Sequence, residues 1–137
     1  MKKPCKDCGS VTRKVTPPGP RCATCHRDRK KALREAAHGL RIYKAYGITK
    51  EQYEALYEAQ GGACYICQRA TGKTKRLAVD HDHATGYVRG ILCGPCNSVL
   101  AHFRDDLALV RRLNTYLTWP PAFDVIGKVK PDESEQE

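Results

Sequence analysis

The chain has 137 residues, enough for one compact domain with a small appendage and too few for a multidomain machine. It carries 24 Lys and Arg against 15 Asp and Glu, a formal charge of +9, and only 25 Leu, Ile, Val and Phe residues, fewer than one in five. So thin an apolar supply excludes a fold held by burial alone, and no apolar stretch approaches the ~20 residues of a membrane span, so no membrane partner is expected.

Eight cysteines are the alternative source of stability. They form four C-x2-C pairs, Cys5/Cys8, Cys22/Cys25, Cys64/Cys67 and Cys93/Cys96, with none left over. A secreted chain could use them as disulfides. No apolar segment follows Met1-Lys2-Lys3-Pro4, so a cytosolic, reducing compartment is the expectation, and there paired knuckles are zinc ligands. Two tetrathiolate zinc sites would bring the folded charge to about +5, still basic. The charge is front-loaded, with 14 basic and 3 acidic residues in the first 50. Such a stripe suits phosphate backbones, the plain alternative being a solvated helix face.

Residues 1–26 read C-x2-C-x13-C-x2-C with Pro17-Pro18-Gly19-Pro20 between the knuckles, a zinc-ribbon-like module that should fold only with its metal. His26 beside Cys25 reads as a surface histidine. A basic linking helix is expected over 27–46 from the spacing of Leu33, Ala36/Ala37, Leu40 and Tyr43. It carries Arg27, Arg29, Lys30, Lys31 and Arg34 as candidate DNA contacts and His38 as a solvated residue, and Gly47 can end it. A capping box, Thr49-x-x-Gln52, and a staple of Ile48 with Tyr53 start a second helix that runs through Leu56 and Tyr57 to Gly61-Gly62. Residues 77–92 read as two strands around Ala84-Thr85-Gly86, followed by a helix from near Asn97. Another helix, 107–117, follows an Asp105/Asp106 cap and ends before Trp119-Pro120-Pro121. From about 127 the chain reads as an acidic, disordered end. The fold class expected is α+β and mainly helical, with a core domain over 47–119 and a tail over 120–137.

The chemistry concentrates between the second and third pairs of knuckles. Cys64, Cys67, Cys93 and Cys96 form C-x2-C-x25-C-x2-C, and the enclosed hairpin holds Asp80-His81-Asp82-His83. Four thiolates close a zinc shell and leave no position for water, so this zinc is structural and catalysis needs another metal. A carboxylate from Asp80 and an amide oxygen from Asn97 are hard ligands suited to Mg²⁺ or Mn²⁺. His81 can act as base, since an imidazole is partly neutral near neutral pH. Adjacent strand residues point to opposite faces, so using Asp80 and His81 together demands an irregular backbone between them, and Asp82 should face away. His102, five residues beyond Asn97 and about 140° around a helix, reads as packing or surface.

Gly47-Ile48-Thr49, then Gly61-Gly62-Ala63-Cys64-Tyr65-Ile66-Cys67, then Val79-Asp80-His81-Asp82-His83-Ala84-Thr85-Gly86-Tyr87-Val88-Arg89-Gly90-Ile91-Leu92-Cys93-Gly94-Pro95-Cys96-Asn97 resemble the HNH, or ββα-metal, nucleases, within them the recombination endonuclease VII group. The resemblance spans about 47–117. It implies a zinc-stapled ββα motif in which Asp80 and Asn97 hold the catalytic Mg²⁺ and His81 is the general base. It implies a supporting role for His83, a phosphate contact for Arg89, 5′-phosphate and 3′-hydroxyl ends, branched DNA as substrate and a phage source. One departure is Leu100, where some relatives have an acidic residue. Two symmetric nicks at a junction call for a homodimer, and the surface expected for it is residues 28–60, with Tyr43, Tyr46, Tyr53, Leu56 and Tyr57. Two other readings stand beside this one. The first is a less selective nicking or homing-type nuclease; the second is a non-catalytic zinc-ribbon module, which leaves Asp80, His81 and Asn97 without a task.

Overall fold

The computed structural model describes residues 3–11 and 19–130; Pro17 and Pro18 of the expected turn and the acidic end from 131 lie outside the described residues. The elements in chain order are α1 (Ala23–Tyr46), α2 (Lys50–Ala59), β1 (Ala78–His81), β2 (Val88–Leu92), α3 (Gly94–Phe103), α4 (Leu107–Thr118) and α5 (Ala122–Val125). The protein is thus mainly helical α+β, with one antiparallel β1–β2 pair.

The α1–α2 corner forms as its residues demand. Gly47 adopts φ +73°, a left-handed conformation that a Cβ would strain, and its N–H bonds to the Tyr43 carbonyl at 2.9 Å. Two residues later Thr49 Oγ1 accepts from the Gln52 amide at 3.2 Å while Gln52 Oε1 accepts from the Thr49 amide at 2.8 Å, the reciprocal capping box. The core that follows is small: Ile42, Tyr53, Cys64, Leu77, Val79, Ile91 and Leu92, with Ile48, Leu56 and Tyr57 packed against it.

Two expectations need correction here. Tyr53 is buried and donates its hydroxyl to the Leu77 carbonyl at 2.8 Å, Tyr57 donates to the Thr71 carbonyl at 2.7 Å, and Leu56 packs on the core. Of the five residues assigned to a dimer surface, only Tyr43 and Tyr46 are exposed, because the two phenol hydroxyls find carbonyl partners that let their rings pack inward. His38 is likewise buried rather than solvated, set edge-on to Tyr53 at 5.0 Å with Nδ1 3.4 Å from Arg76 Nη1. Burial first, and the Arg76 charge second, push its imidazole below the ordinary histidine value, so it packs as a neutral ring. Glu35 completes the cluster by pairing with Arg76 and, at 3.7 Å, with Lys50.

Gln60, which no motif singled out, does the work of a missing third strand. Its Nε2 donates to the carbonyls of Ile91 at 2.8 Å and Ala63 at 3.1 Å, while Oε1 accepts from the Ile91 amide at 2.9 Å. The unpaired edge of β2 is thereby satisfied at a residue with no exposed surface. A Cβ at Gly90 would lie 2.8 Å from that same Oε1, an atom pinned in place by its bond to Ile91. Gly90→Ala and Gln60→Ala should each therefore cost about 1–3 kcal/mol in chemical denaturation, the penalty for unpaired buried backbone groups. The double variant should cost little more than either alone, and full additivity would mean that the two residues act separately.

Helix α3 begins at Gly94, three residues before the expected start, because the Cys93-Gly94-Pro95-Cys96 knuckle is itself the N-cap and first turn. Asp106 alone caps α4, accepting from the Ala108 amide at 2.7 Å. Neither α4 nor the short α5, which the sequence did not suggest, contains a buried residue, and Leu107, Val110, Leu113 and Leu117 of α4 are exposed.

Candidate active site and metal centres

Each quartet of cysteines converges on one point. Within Cys5/Cys8/Cys22/Cys25, and again within Cys64/Cys67/Cys93/Cys96, the four Sγ atoms lie within 4.8 Å of one another. The Cys8–Cys22 and Cys67–Cys93 sulfur separations are both 3.9 Å. A tetrahedral Zn–S4 site with bonds of about 2.3 Å has edges of roughly 3.8 Å, whereas a disulfide needs about 2.05 Å, so both donor sets fit zinc.

The two quartets share a local design. Cys22 is the N-cap of α1 with Cys25 in the first turn; Cys93 is the N-cap of α3 with Cys96 in the first turn. Thiolates there face the positive end of a helix. In the partner knuckles backbone amides aim at sulfur: those of Cys22 and Cys8 bring the Cys5 thiol down to about 6, and those of Ala70 and Arg69 do the same for Cys67. Cys25, hydrogen-bonded to the Cys22 and Cys8 sulfurs, and Cys96, desolvated and crowded by Cys93, are pushed up to about 12. A divalent cation at the centre would remove that opposition between neighbouring thiolates.

The zinc-type clamp at residues 64–96 encloses the β1–β2 hairpin, and α3 packs on β1. Across the hairpin Asp80 faces Gly90 but His81 faces Val88, so the register slips between Asp80 and His81 and Arg89 is the extra residue of a bulge. The extra residue lies on β2, and β1 runs from Asp80 to His81 without an insertion. Asp80 is only 5 % exposed and receives Arg89 in a bidentate fork, Nε to Oδ2 at 2.7 Å and Nη2 to Oδ1 at 3.0 Å. Arg89 Nη1 also donates to Asp105 Oδ1 at 2.8 Å, and Asp105 Oδ2 lies 2.9 Å from His83 Nδ1. The His83 ring is 5.0 Å from that of His81, which in turn is 5.5 Å from Tyr46 of α1. The guanidinium charge is held strongly by Asp80, and the Asp105 carboxyl is held below its ordinary value by His83 and Arg89.

Asp82 does a different job. Its Oδ1 accepts from the amides of Ala84 and Thr85, both at 2.8 Å, shaping the turn that Gly86 closes at φ +78°. These amides hold its carboxyl below the usual range. Asn97 sits half-buried in the first turn of α3, its backbone N–H bonded to the Cys93 carbonyl at 3.0 Å. Leu100 lines a groove with Tyr65, Ile66, Asp80 and Arg89, while His102 is exposed beside Phe103. His26 is exposed as expected. Sequence reasoning missed Asp105 as part of this network, having treated it with Asp106 as a helix cap.

A second feature is electrostatic. Arg27, Lys30, Lys31 and Arg34 recur at one-face spacing along α1 and line an open groove opposite Lys73, Thr74 and Arg76. Arg29 is exposed on α1 but does not line it.

The bulged hairpin thus gathers a buried carboxylate, an arginine and two imidazoles within the cysteine clamp. The family model for recombination endonuclease VII matches residues 39–119, from late α1 to just past the end of α4. Over 141 aligned residues the chain is 52% identical to the Gene 59 protein of Mycobacterium phage D29, covering 98% of this chain and 86% of that protein. The Gene 59 protein of Mycobacterium phage L5 is 50% identical with the same coverage. No solved structure matches. The chain belongs to the recombination endonuclease VII family, and that membership makes it an endonuclease with DNA as its substrate. No helix among the described residues is long and apolar enough to cross a membrane.

Proposed function

We propose that this endonuclease is of the HNH, ββα-metal type, that it hydrolyses phosphodiester bonds of branched DNA, and that His81 is its general base. The observation that supports this best is the polar chain on the hairpin, in which buried Asp80 is forked to Arg89, Arg89 bonds Asp105, Asp105 bonds His83, and the His83 ring lies beside that of His81. Asp80 and Asn97 would hold Mg²⁺ or Mn²⁺, and the Asp80 carboxylate, already matched to a cationic group, is a fitting donor. Such a cation supplies charge stabilisation at the phosphoryl group and the leaving 3′ oxygen, which yields 5′-phosphate and 3′-hydroxyl ends. The neutral imidazole of His81 takes the proton of attacking water, and His83, held through Nδ1 by Asp105, orients the site from beside it. Arg89 offers donors to phosphate, and two structural zinc ions on the cysteine quartets keep the hairpin and the N-terminal module in place.

DNA would lie along the groove formed by Arg27, Lys30, Lys31, Arg34, Lys73 and Arg76, with Arg29 contributing from the side. A homodimer remains part of the proposal, because resolving a junction takes two symmetric nicks. With Tyr53, Leu56 and Tyr57 taken into the core, its apolar surface would come from Tyr43, Tyr46 and the exposed leucines of α4. The test is Mg²⁺-dependent nicking of four-way, mismatched and linear duplex DNA across a salt series, with mass by light scattering. Faster cutting of the four-way substrate by a dimer, with binding that falls steeply as salt rises, is the expected result. Equal rates on all three substrates by a monomer would leave a general nicking nuclease, and absence of cutting would leave a nucleic-acid-binding module.

A further inference from the structure

We propose that Asp105 is a positioning residue of the hairpin site, tying Arg89 and His83 to the α3–α4 corner; the inference rests on the reading of Asp80 and His81 as reaction-centre residues. One carboxylate spans both groups, Oδ1 on Arg89 Nη1 at 2.8 Å and Oδ2 on His83 Nδ1 at 2.9 Å. Arg89 therefore bridges two acids, the buried Asp80 and the largely covered Asp105. The same guanidinium keeps one anchor on Asp105 whatever becomes of its fork on Asp80.

The backbone points the same way. Arg104 and Asp105 are consecutive non-glycine residues in the left-handed region, at φ +50° and +57°. Non-glycine residues adopt that conformation uncommonly, aspartate being among those that tolerate it, and it endures where surrounding contacts favour it. Arg104 is the left-handed C-cap of α3, its N–H bonded to the Ala101 carbonyl at 3.2 Å, so capping accounts for that residue, and Asp106 caps α4. What the bend accomplishes is to turn the Asp105 carboxylate back toward the hairpin, 16 residues from Arg89 and 22 from His83 in the chain. Its base is firm, because the N-cap and first turn of α3 carry Cys93 and Cys96 of the second quartet and α3 packs on β1.

The decisive variant is Asp105→Asn, which keeps size and tolerates the left-handed backbone but cannot serve as an anion for both partners. Outer partners of this kind typically contribute about 10–100-fold. The expected result on four-way DNA is a kcat lowered by about tenfold or more at an unchanged KM, with melting temperature and metal content retained. A second readout does not depend on cutting: in the protein as purified without added Mg²⁺, the Arg89 Nη1–H resonance, on the nitrogen that Asp105 holds, should exchange with water slowly in the parent and measurably faster in Asp105→Asn. Asp106→Ala serves as the structural control, lowering the melting temperature through the lost cap while leaving kcat and the Arg89 resonance unchanged. Parent-like kcat together with an unchanged Arg89 resonance in Asp105→Asn would overturn the inference, as would a kcat loss matched by a fall in melting temperature. If the parent itself cuts no DNA, the functional reading fails by that result, and the Arg89 resonance alone then decides whether Asp105 positions the hairpin.

Discussion

His81→Ala is expected to lower the rate of DNA nicking by about 10²–10⁴-fold, the usual contribution of a positioned general base. The ring is half-exposed and its contacts are with His83 and Tyr46 at ring distances of 5.0 and 5.5 Å, so its removal opens no cavity in the core. Melting temperature, zinc content and DNA affinity should stay close to the parent, since only the transition state requires the base. Asp80→Ala should abolish cutting to a similar degree for another reason, loss of a metal ligand, and should also release Arg89 from its fork. Single-turnover kinetics at saturating Mg²⁺ separate the two: raising Mg²⁺ should recover nothing for His81→Ala. Near-parent cutting by that variant would transfer the base to His83, 5.0 Å away.

The largest structural effect is expected at the second cysteine quartet. Cys93→Ser, or removal of metal by a strong chelator, should abolish cooperative unfolding of the hairpin and core, measured by circular dichroism and denaturant titration. Zinc binding to such a site is worth on the order of 10 kcal/mol or more, comparable with the ~5–15 kcal/mol of an entire domain. Here the metal-free alternative is poor, because the core consists of seven buried residues, one of which is Cys64 itself. Cys22→Ser should act locally: the first quartet meets the rest of the protein through α1, so the expected loss is of DNA affinity and of one zinc ion, with the core transition preserved. Elemental analysis of the parent should return two zinc ions per chain. A single ion, or a Cys93→Ser protein that melts like the parent, would remove zinc from the account of how the hairpin is held.

Much of this protein was legible before folding, wherever the determinant was local. Gly47, the Thr49/Gln52 box and the Asp82–Gly86 turn depend on backbone geometry and on hydrogen bonds between residues a few positions apart, so their residue types announce them. The knuckle spacing announced both quartets, because C-x2-C is the geometry of two ligands on one metal. Other features depended on chain segments far apart in sequence. The sequence suggests a solvated His38, and it is buried because Tyr53 and Arg76 close over it from α2 and from the segment before β1. Gln60 is an ordinary polar residue at the end of a helix until β2 presents the outer backbone edge of Ile91 to it, 31 positions later. Asp105 is one of two acids before α4, and no pattern in the sequence says which caps the helix and which turns back to Arg89 and His83. Local backbone chemistry and ligand spacing therefore belong to the sequence alone, whereas the partners of a buried or bridging polar group are settled only when tertiary contacts bring a complementary donor or acceptor within about 3 Å.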